Sequence, residues 1–253
     1  MKEKIIKVET RDGTMEVFVT APEEGGPHPV VILFQDSIGI REELYDMCRR
    51  IGTVGYFVAM PNLYYRTDGI DDVYIDPDKI HEPGPEKTRL WEMIKSVNND
   101  MVVADTEALL DALAKEPDAA PQPYGQVGYC MSGQFVYANA GRLPDAFAAT
   151  MSVYGSGHIT KFPQSPHLTT DRITGEIEFA CAEDDHWAPL EQVEQLRQIL
   201  SDAGVKHRVD IYPGVIHGFA FPGRAVYDKP AAERHWERMF SLFERTLKAP
   251  RAR

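Results

Sequence analysis

The chain has 253 residues, with 27 Lys and Arg against 39 Asp and Glu and a formal charge of −12. That length fits one large domain with a sizeable core, and the acidic excess argues against nucleic acid and anionic membrane surfaces, which call for a basic face. Three cysteines (Cys48, Cys130, Cys181) without a C-x-x-C pairing exclude a disulfide scaffold and a zinc ribbon and fit a reducing cytoplasm.

The opening stretch, MKEKIIKVETRDG, lacks the roughly 7–15 continuous apolar residues of a signal peptide. No run approaches the roughly 20 apolar residues of a spanning helix, so a soluble, cytoplasmic protein is expected. Ile5–Thr10 and Glu16–Thr20 read as a hairpin around Arg11-Asp12-Gly13-Thr14. Pro29–Gln35 (PVVILFQ) and Tyr56–Met60 (YFVAM) are continuous apolar runs, as in parallel strands buried on both faces. Glu42–Val54 lies between them as a helix closed by Gly55. Met101–Lys115 carries helical spacing. Strands follow at Gln126–Met131, Ala146–Tyr154, Glu176–Ala182 and His207–Tyr212, and helices at Gly133–Gly141, Leu190–Ala203 and Ala231–Leu247. This alternation predicts an α/β fold with a mostly parallel central sheet and helices on both faces. One domain over residues 1–253 is expected, with a loop-rich excursion at about 64–99 over its active face.

The informative segment is Gly128-Tyr129-Cys130-Met131-Ser132-Gly133, which follows a strand pattern and opens a helix. A nucleophile on so sharp a turn brings the residues two before and two after it close together, so both must be small. Gly128 and Ser132 are. The turn exposes the central side chain, aims the Met131 N–H at a developing oxyanion and adds the positive end of a helix dipole. A thiol there is activated, although most cytosolic cysteines are simply buried small hydrophobes. Ser132 as the nucleophile ranks far behind, because Cys130 stands where its flanking glycine would be needed.

Such a nucleophile needs an imidazole base and an orienting carboxylate. Asp184 and Asp185 end the strand-like run EIEFACA, and His217 follows HRVDIY. Either aspartate could serve on spacing alone. A metal site at Asp185 and His186 would need further ligands at definable spacing, and none are evident.

With these residues in place the chain resembles the dienelactone hydrolase (carboxymethylenebutenolidase) family of α/β-hydrolases. The motifs are G-Y-C-M-S-G around Cys130, D-H-W-A-P from Asp185 and H-G-F from His217, and the similarity runs from the Val30 strand to the last helix. Nucleophile, acid and histidine follow in that superfamily's chain order. The resemblance implies a Cys130–Asp185–His217 triad, a second oxyanion-hole N–H from Ser37, and a carboxylate at Asp36 that restrains the resting thiol. Three positions depart from it. Asp36 replaces a glutamate, Ser132 replaces a glycine, and Phe221 stands where enzymes acting on dienelactone itself carry an arginine for the substrate carboxylate. An apolar ring there leaves neutral substrates at no disadvantage.

The expected activity is hydrolysis of a small-molecule carboxylic ester or lactone through a thioacyl-enzyme, with no cofactor and no metal. Tyr64 and Trp91 in the excursion, with Phe221, are candidate pocket residues. The alternatives are a non-catalytic small-molecule binder on the same scaffold and a redox sensor built on Cys130, which would want a resolving cysteine. Monomer and homodimer are equally compatible with the sequence.

Overall fold

The structure, a computed structural model, describes residues 1–248. The chain divides into two compact units, Met1–Ala120 and Pro121–Arg253.

In the first unit, strands β1 (Lys2–Thr10), β2 (Gly13–Ala21), β3 (Val30–Phe34) and β4 (Phe57–Pro61) lie in the order β1-β2-β4-β3. The β1–β2 hairpin and the β2–β4 pair are antiparallel, and β3–β4 is parallel. Every residue of β3 and β4 is buried, as their unbroken apolar runs require. β1 is largely exposed and carries Lys2, Lys4 and Lys7, charges that keep a sheet edge from pairing with another chain. Helix α1 (Glu42–Thr53) buries Leu44, Met47, Cys48 and Ile51, one stripe at helical spacing. The expected loop at 64–99 contains a helix, α2 (Pro85–Lys95), started by Pro85, and a short 3₁₀ turn at Pro77–Lys79. Its apolar stripe is only Leu90 and Met93, too thin a periodicity to stand out among the flanking prolines and charges. Helix α3 (Asn99–Leu113) is capped by Asn98, whose side chain accepts from the Met101 N–H.

In the second unit, β5 (Tyr124–Tyr129), β6 (Phe147–Val153), β7 (Glu176–Asp184) and β8 (His207–Ile216) are all parallel and lie in sequence order. Helix α4 (Ser132–Arg142) joins β5 to β6, a 3₁₀ segment at Pro166–Arg172 lies between β6 and β7, α5 (Leu190–Asp202) joins β7 to β8, and α6 (Lys229–Phe243) follows β8. Val193, Leu196 and Leu200 of α5 pack with Tyr137, Ile177, Phe179 and Cys181 in one cluster. β8 runs four residues beyond the expected Tyr212. The extension matters for chemistry. Ala182 pairs with Tyr212, but the next pair is Asp184 with Ile216. Three residues of β8 therefore face one of β7, and Gly214 takes φ +70° in the bulge while its N–H donates to Glu183 Oε2 at 2.8 Å.

Candidate active site

The bulge brings the acid and the base together. Because Asp184 and Ile216 are paired, the residues that follow them, Asp185 and His217, leave the sheet side by side. His217 Nδ1 donates to Asp185 Oδ2 at 2.8 Å. The second carboxylate oxygen of Asp185 accepts the Trp187 N–H at 2.9 Å, so both oxygens are fixed. The Asp185 side chain is 1% exposed and that of His217 17%. Asp184, the spacing alternative, points to solvent at the exposed end of β7.

Cys130 lies between β5 and α4 with φ +54°, a left-handed backbone that non-glycine residues rarely adopt. Main-chain hydrogen bonds hold it there. Its N–H donates to Val153 O at 3.1 Å, and its carbonyl accepts from both Gly133 and Ser156 at 3.0 Å. A Cβ on Gly128 would stand 2.4 Å from Ser132 O, which confirms why that position must be bare. Ser132 fits as the first residue of α4, with no exposed surface. A further tight approach is at Gly133, where a Cβ would meet Gly155 Cα at 2.3 Å and Ser152 Oγ at 2.5 Å. Sequence reading did not single out Gly155, Ser152 or His158, because what brings them to the Cys130 turn is their approach to Gly133, 19 or more residues away in the chain.

Cys130 and His217 act on each other electrically. Burial pushes the His217 imidazole down, but the negative charge of the Cys130 thiolate and the Asp185 hydrogen bond outweigh it and lift the group to about 10. The other two thiols differ in kind: burial pushes Cys181 up to about 12 and Cys48 higher still, so both stay protonated. Tyr154, with φ +36°, packs its ring edge-on against His217 at 5.1 Å. Phe221 is buried, 5.3 Å from the Tyr129 ring and 6.2 Å from the Tyr154 ring, in the aromatic layer behind the imidazole.

The remaining predicted residues lie in the first unit. Asp36 is buried just beyond β3, and Arg41 grips it with both terminal nitrogens at 2.8 and 3.2 Å while also reaching Glu43. Ser37 follows it. Tyr64 is fully buried and donates its hydroxyl to the Ser37 carbonyl, whereas Trp91 on α2 is 40% exposed. Among the described residues no group of three or more His, Cys, Asp and Glu is arranged to hold a metal, and no helix is long and apolar enough to cross a membrane.

Comparison with known proteins agrees with this geometry. A model of the dienelactone hydrolase family matches residues 15–247, running through both units. The chain belongs to the dienelactone hydrolase family. A Synechocystis sp. protein provisionally named a carboxymethylenebutenolidase is 28% identical over 98% of each chain. An Aquifex pyrophilus protein named usf is 26% identical over 96% of this chain and 99% of its own. The crystal structure of a Klebsiella pneumoniae protein provisionally named a dienelactone hydrolase superposes with a TM-score of 0.83 at 25% identity, over 96% of this chain and 98% of that one. The chain is therefore a hydrolase of this family with the α/β-hydrolase fold.

Proposed function

We propose that this hydrolase cleaves a neutral carboxylic ester or lactone through Cys130, with His217 and Asp185 completing the catalytic set. The observation that carries the reading is the Asp185–His217 hydrogen bond, together with the lifted His217 proton affinity that depends on Cys130. The thiolate attacks the carbonyl carbon and the oxygen gains charge, received by the backbone N–H groups of Met131 and Ser37. One such donor is worth about 3–4 kcal/mol to a transition state. The tetrahedral species collapses, the C–O bond breaks, and the His217 imidazolium gives its proton to the departing alkoxide. Acylation removes the thiolate charge that favoured the imidazolium, so His217 is then neutral and able to take a proton from water. Hydroxide addition and loss of the thiolate release the acid, and the water proton on His217 restores the starting pair.

For Asp36 the resemblance implies a carboxylate that restrains the resting thiol; in this chain both its oxygens bond to Arg41, which offsets its charge. Neutral substrates follow from chemistry at two places. Phe221 is apolar, and Arg41 is already neutralised by Asp36 and Glu43.

The test is turnover of a panel of neutral and anionic aryl esters and lactones by wild type, Cys130→Ala and His217→Ala. Wild type is expected to prefer neutral members, and both variants to lose at least ~10³-fold in kcat. Wild-type turnover by Cys130→Ala would overturn the nucleophile. A wild-type protein that binds but never hydrolyses any member would leave the binding-protein alternative standing.

A further inference from the structure

The loop from Asp36 to Arg41 has an unusual degree of support. Four successive carbonyls each have a specific partner. Asp36 O accepts the Gly39 N–H at 3.3 Å, Ser37 O accepts the Tyr64 hydroxyl at 2.9 Å, Ile38 O accepts the Ile75 N–H at 2.8 Å, and Gly39 O accepts Arg41 Nη1 at 3.0 Å. Gly39 takes φ +87°, and a Cβ there would stand 1.9 Å from Val73 O, so the loop lies directly on the backbone of the segment that follows Tyr64. Residues 64 and 75 thus bracket a stretch that touches the loop at three points.

Tyr64 is itself held firmly. Its N–H donates to Asn62 Oδ1 at 2.9 Å, Asn62 Nδ2 donates to Asp68 O at 3.0 Å, and the Asn62 N–H donates to Glu16 O in β2. The Tyr64 carbonyl accepts from Thr67 through both its N–H and its hydroxyl at 2.8 Å. The phenol is therefore presented from a locked backbone. The Gly39 N–H on the Asp36 carbonyl holds the peptide plane that carries the Ser37 N–H, the Tyr64 hydroxyl on the Ser37 carbonyl holds the plane that follows, and the Tyr64 bond thereby limits rotation of Ser37 between the two. An oxyanion donor works because it is aimed before charge develops, and an unrestrained donor forfeits part of that advantage.

We infer that Tyr64 is a positioning residue that aims the Ser37 N–H, and that residues 62–75 form a fixed brace for the oxyanion loop. This rests on the reading of Ser37 as the second oxyanion donor. It assigns Tyr64 a place in the chemistry different from the pocket contact its sequence position suggests.

Tyr64→Phe keeps the ring and removes only the hydroxyl, so it isolates the bond. It is expected to lower kcat for a neutral aryl ester about 10-fold while KM changes less than about twofold, because the lost restraint matters where charge develops. Alkylation of Cys130 by iodoacetamide is a displacement at saturated carbon and develops no oxyanion, so its rate is expected to stay at the wild-type value. Asn62→Ser, which loosens the support of Tyr64 without touching the phenol, is expected to give a smaller fall in kcat with the same unchanged alkylation. Unchanged kcat in Tyr64→Phe would overturn the inference, and so would a rise in KM alone, the mark of a substrate wall. Equal losses in turnover and alkylation would also overturn it, since they indicate general damage to the site. If Cys130→Ala in the same assay retains turnover, the failure lies with the proposed function and not with Tyr64.

Discussion

Two strand-to-helix turns, one in each unit, carry the proposed chemistry, and side chains support them to different degrees. The turn at Cys130 is held by main-chain hydrogen bonds and by glycines that permit close approach: Gly128 against Ser132, Gly133 against Gly155. The loop at Ser37 shares the main-chain bonds and a closely packed glycine but adds side chains, with Arg41 on Asp36 and Gly39 and Tyr64 on Ser37. The first kind of support is written into a short motif, because small residues at fixed spacing are what the geometry tolerates. The second kind is spread over residues that no local pattern links.

The sharpest way to break this comparison is at its two carboxylates, both buried and both bonded through two oxygens. Asp185→Asn keeps the shape but withdraws the charge that orients His217 and stabilises its imidazolium. The expected loss in kcat is about 10³–10⁴-fold, measured on a neutral ester. Arg41→Ala leaves Asp36 as an uncompensated buried charge, so its expected effect is on stability, about 3–5 kcal/mol in a urea titration, with a far smaller loss in kcat. A larger catalytic loss from Arg41→Ala than from Asp185→Asn would reverse the ranking of the two turns.

The histidines sharpen the picture further. His217 is raised to about 10 by the Cys130 charge and the Asp185 hydrogen bond, and in the proposed mechanism its proton goes to the leaving alkoxide. Turnover is expected to persist through neutral pH and to fall as pH rises through about 10. An NMR titration of the imidazole should place its midpoint there and move it down in Cys130→Ala, where the thiolate charge is gone. An unmoved midpoint would mean that Cys130 does not couple to the base.

The smallest effect concerns His158, buried beneath the Cys130 turn with its Nε2 hydrogen-bonded to Ser152 Oγ at 2.9 Å. Burial pushes it down to about 4, against a smaller opposing pull from Asp185, so it is neutral in the fold. The unfolded chain takes up this proton near pH 6.5, hence stability is expected to drop as pH falls from about 6.5 toward 4. The loss between pH 7 and pH 5 is about 2 kcal/mol. Urea midpoints at the two pH values would register it, and His158→Gln should abolish this share of the difference.

Particular elements mark how far the sequence could be read. The alternation of strands and helices was legible because buried parallel strands demand unbroken apolar runs such as VVILF, and β3 is buried throughout. Glu42–Thr53 and Leu190–Asp202 follow from their apolar spacing nearly residue for residue. Helix α2 was not legible, since two buried residues make too weak a stripe. The choice between Asp184 and Asp185 rested on motif resemblance, and the β7–β8 register supplies its physical reason. Pro213-Gly214 was the available signal for the bulge, but a turn pair inside a strand does not say how many residues it will insert.

By itself, then, the sequence determined the α/β alternation, the strand-to-helix turn at Cys130, and the packing of Cys48 and Cys181 in apolar elements. Each of these depends on the size, charge and polarity of residues close together in the chain. Tertiary structure decided which aspartate meets His217, that the imidazole holds its proton to about pH 10, and that Asp36 is gripped by Arg41 while Tyr64 supports Ser37. Those outcomes depend on distances of a few ångströms between segments tens of residues apart, and on the exclusion of water that gives charges their strength.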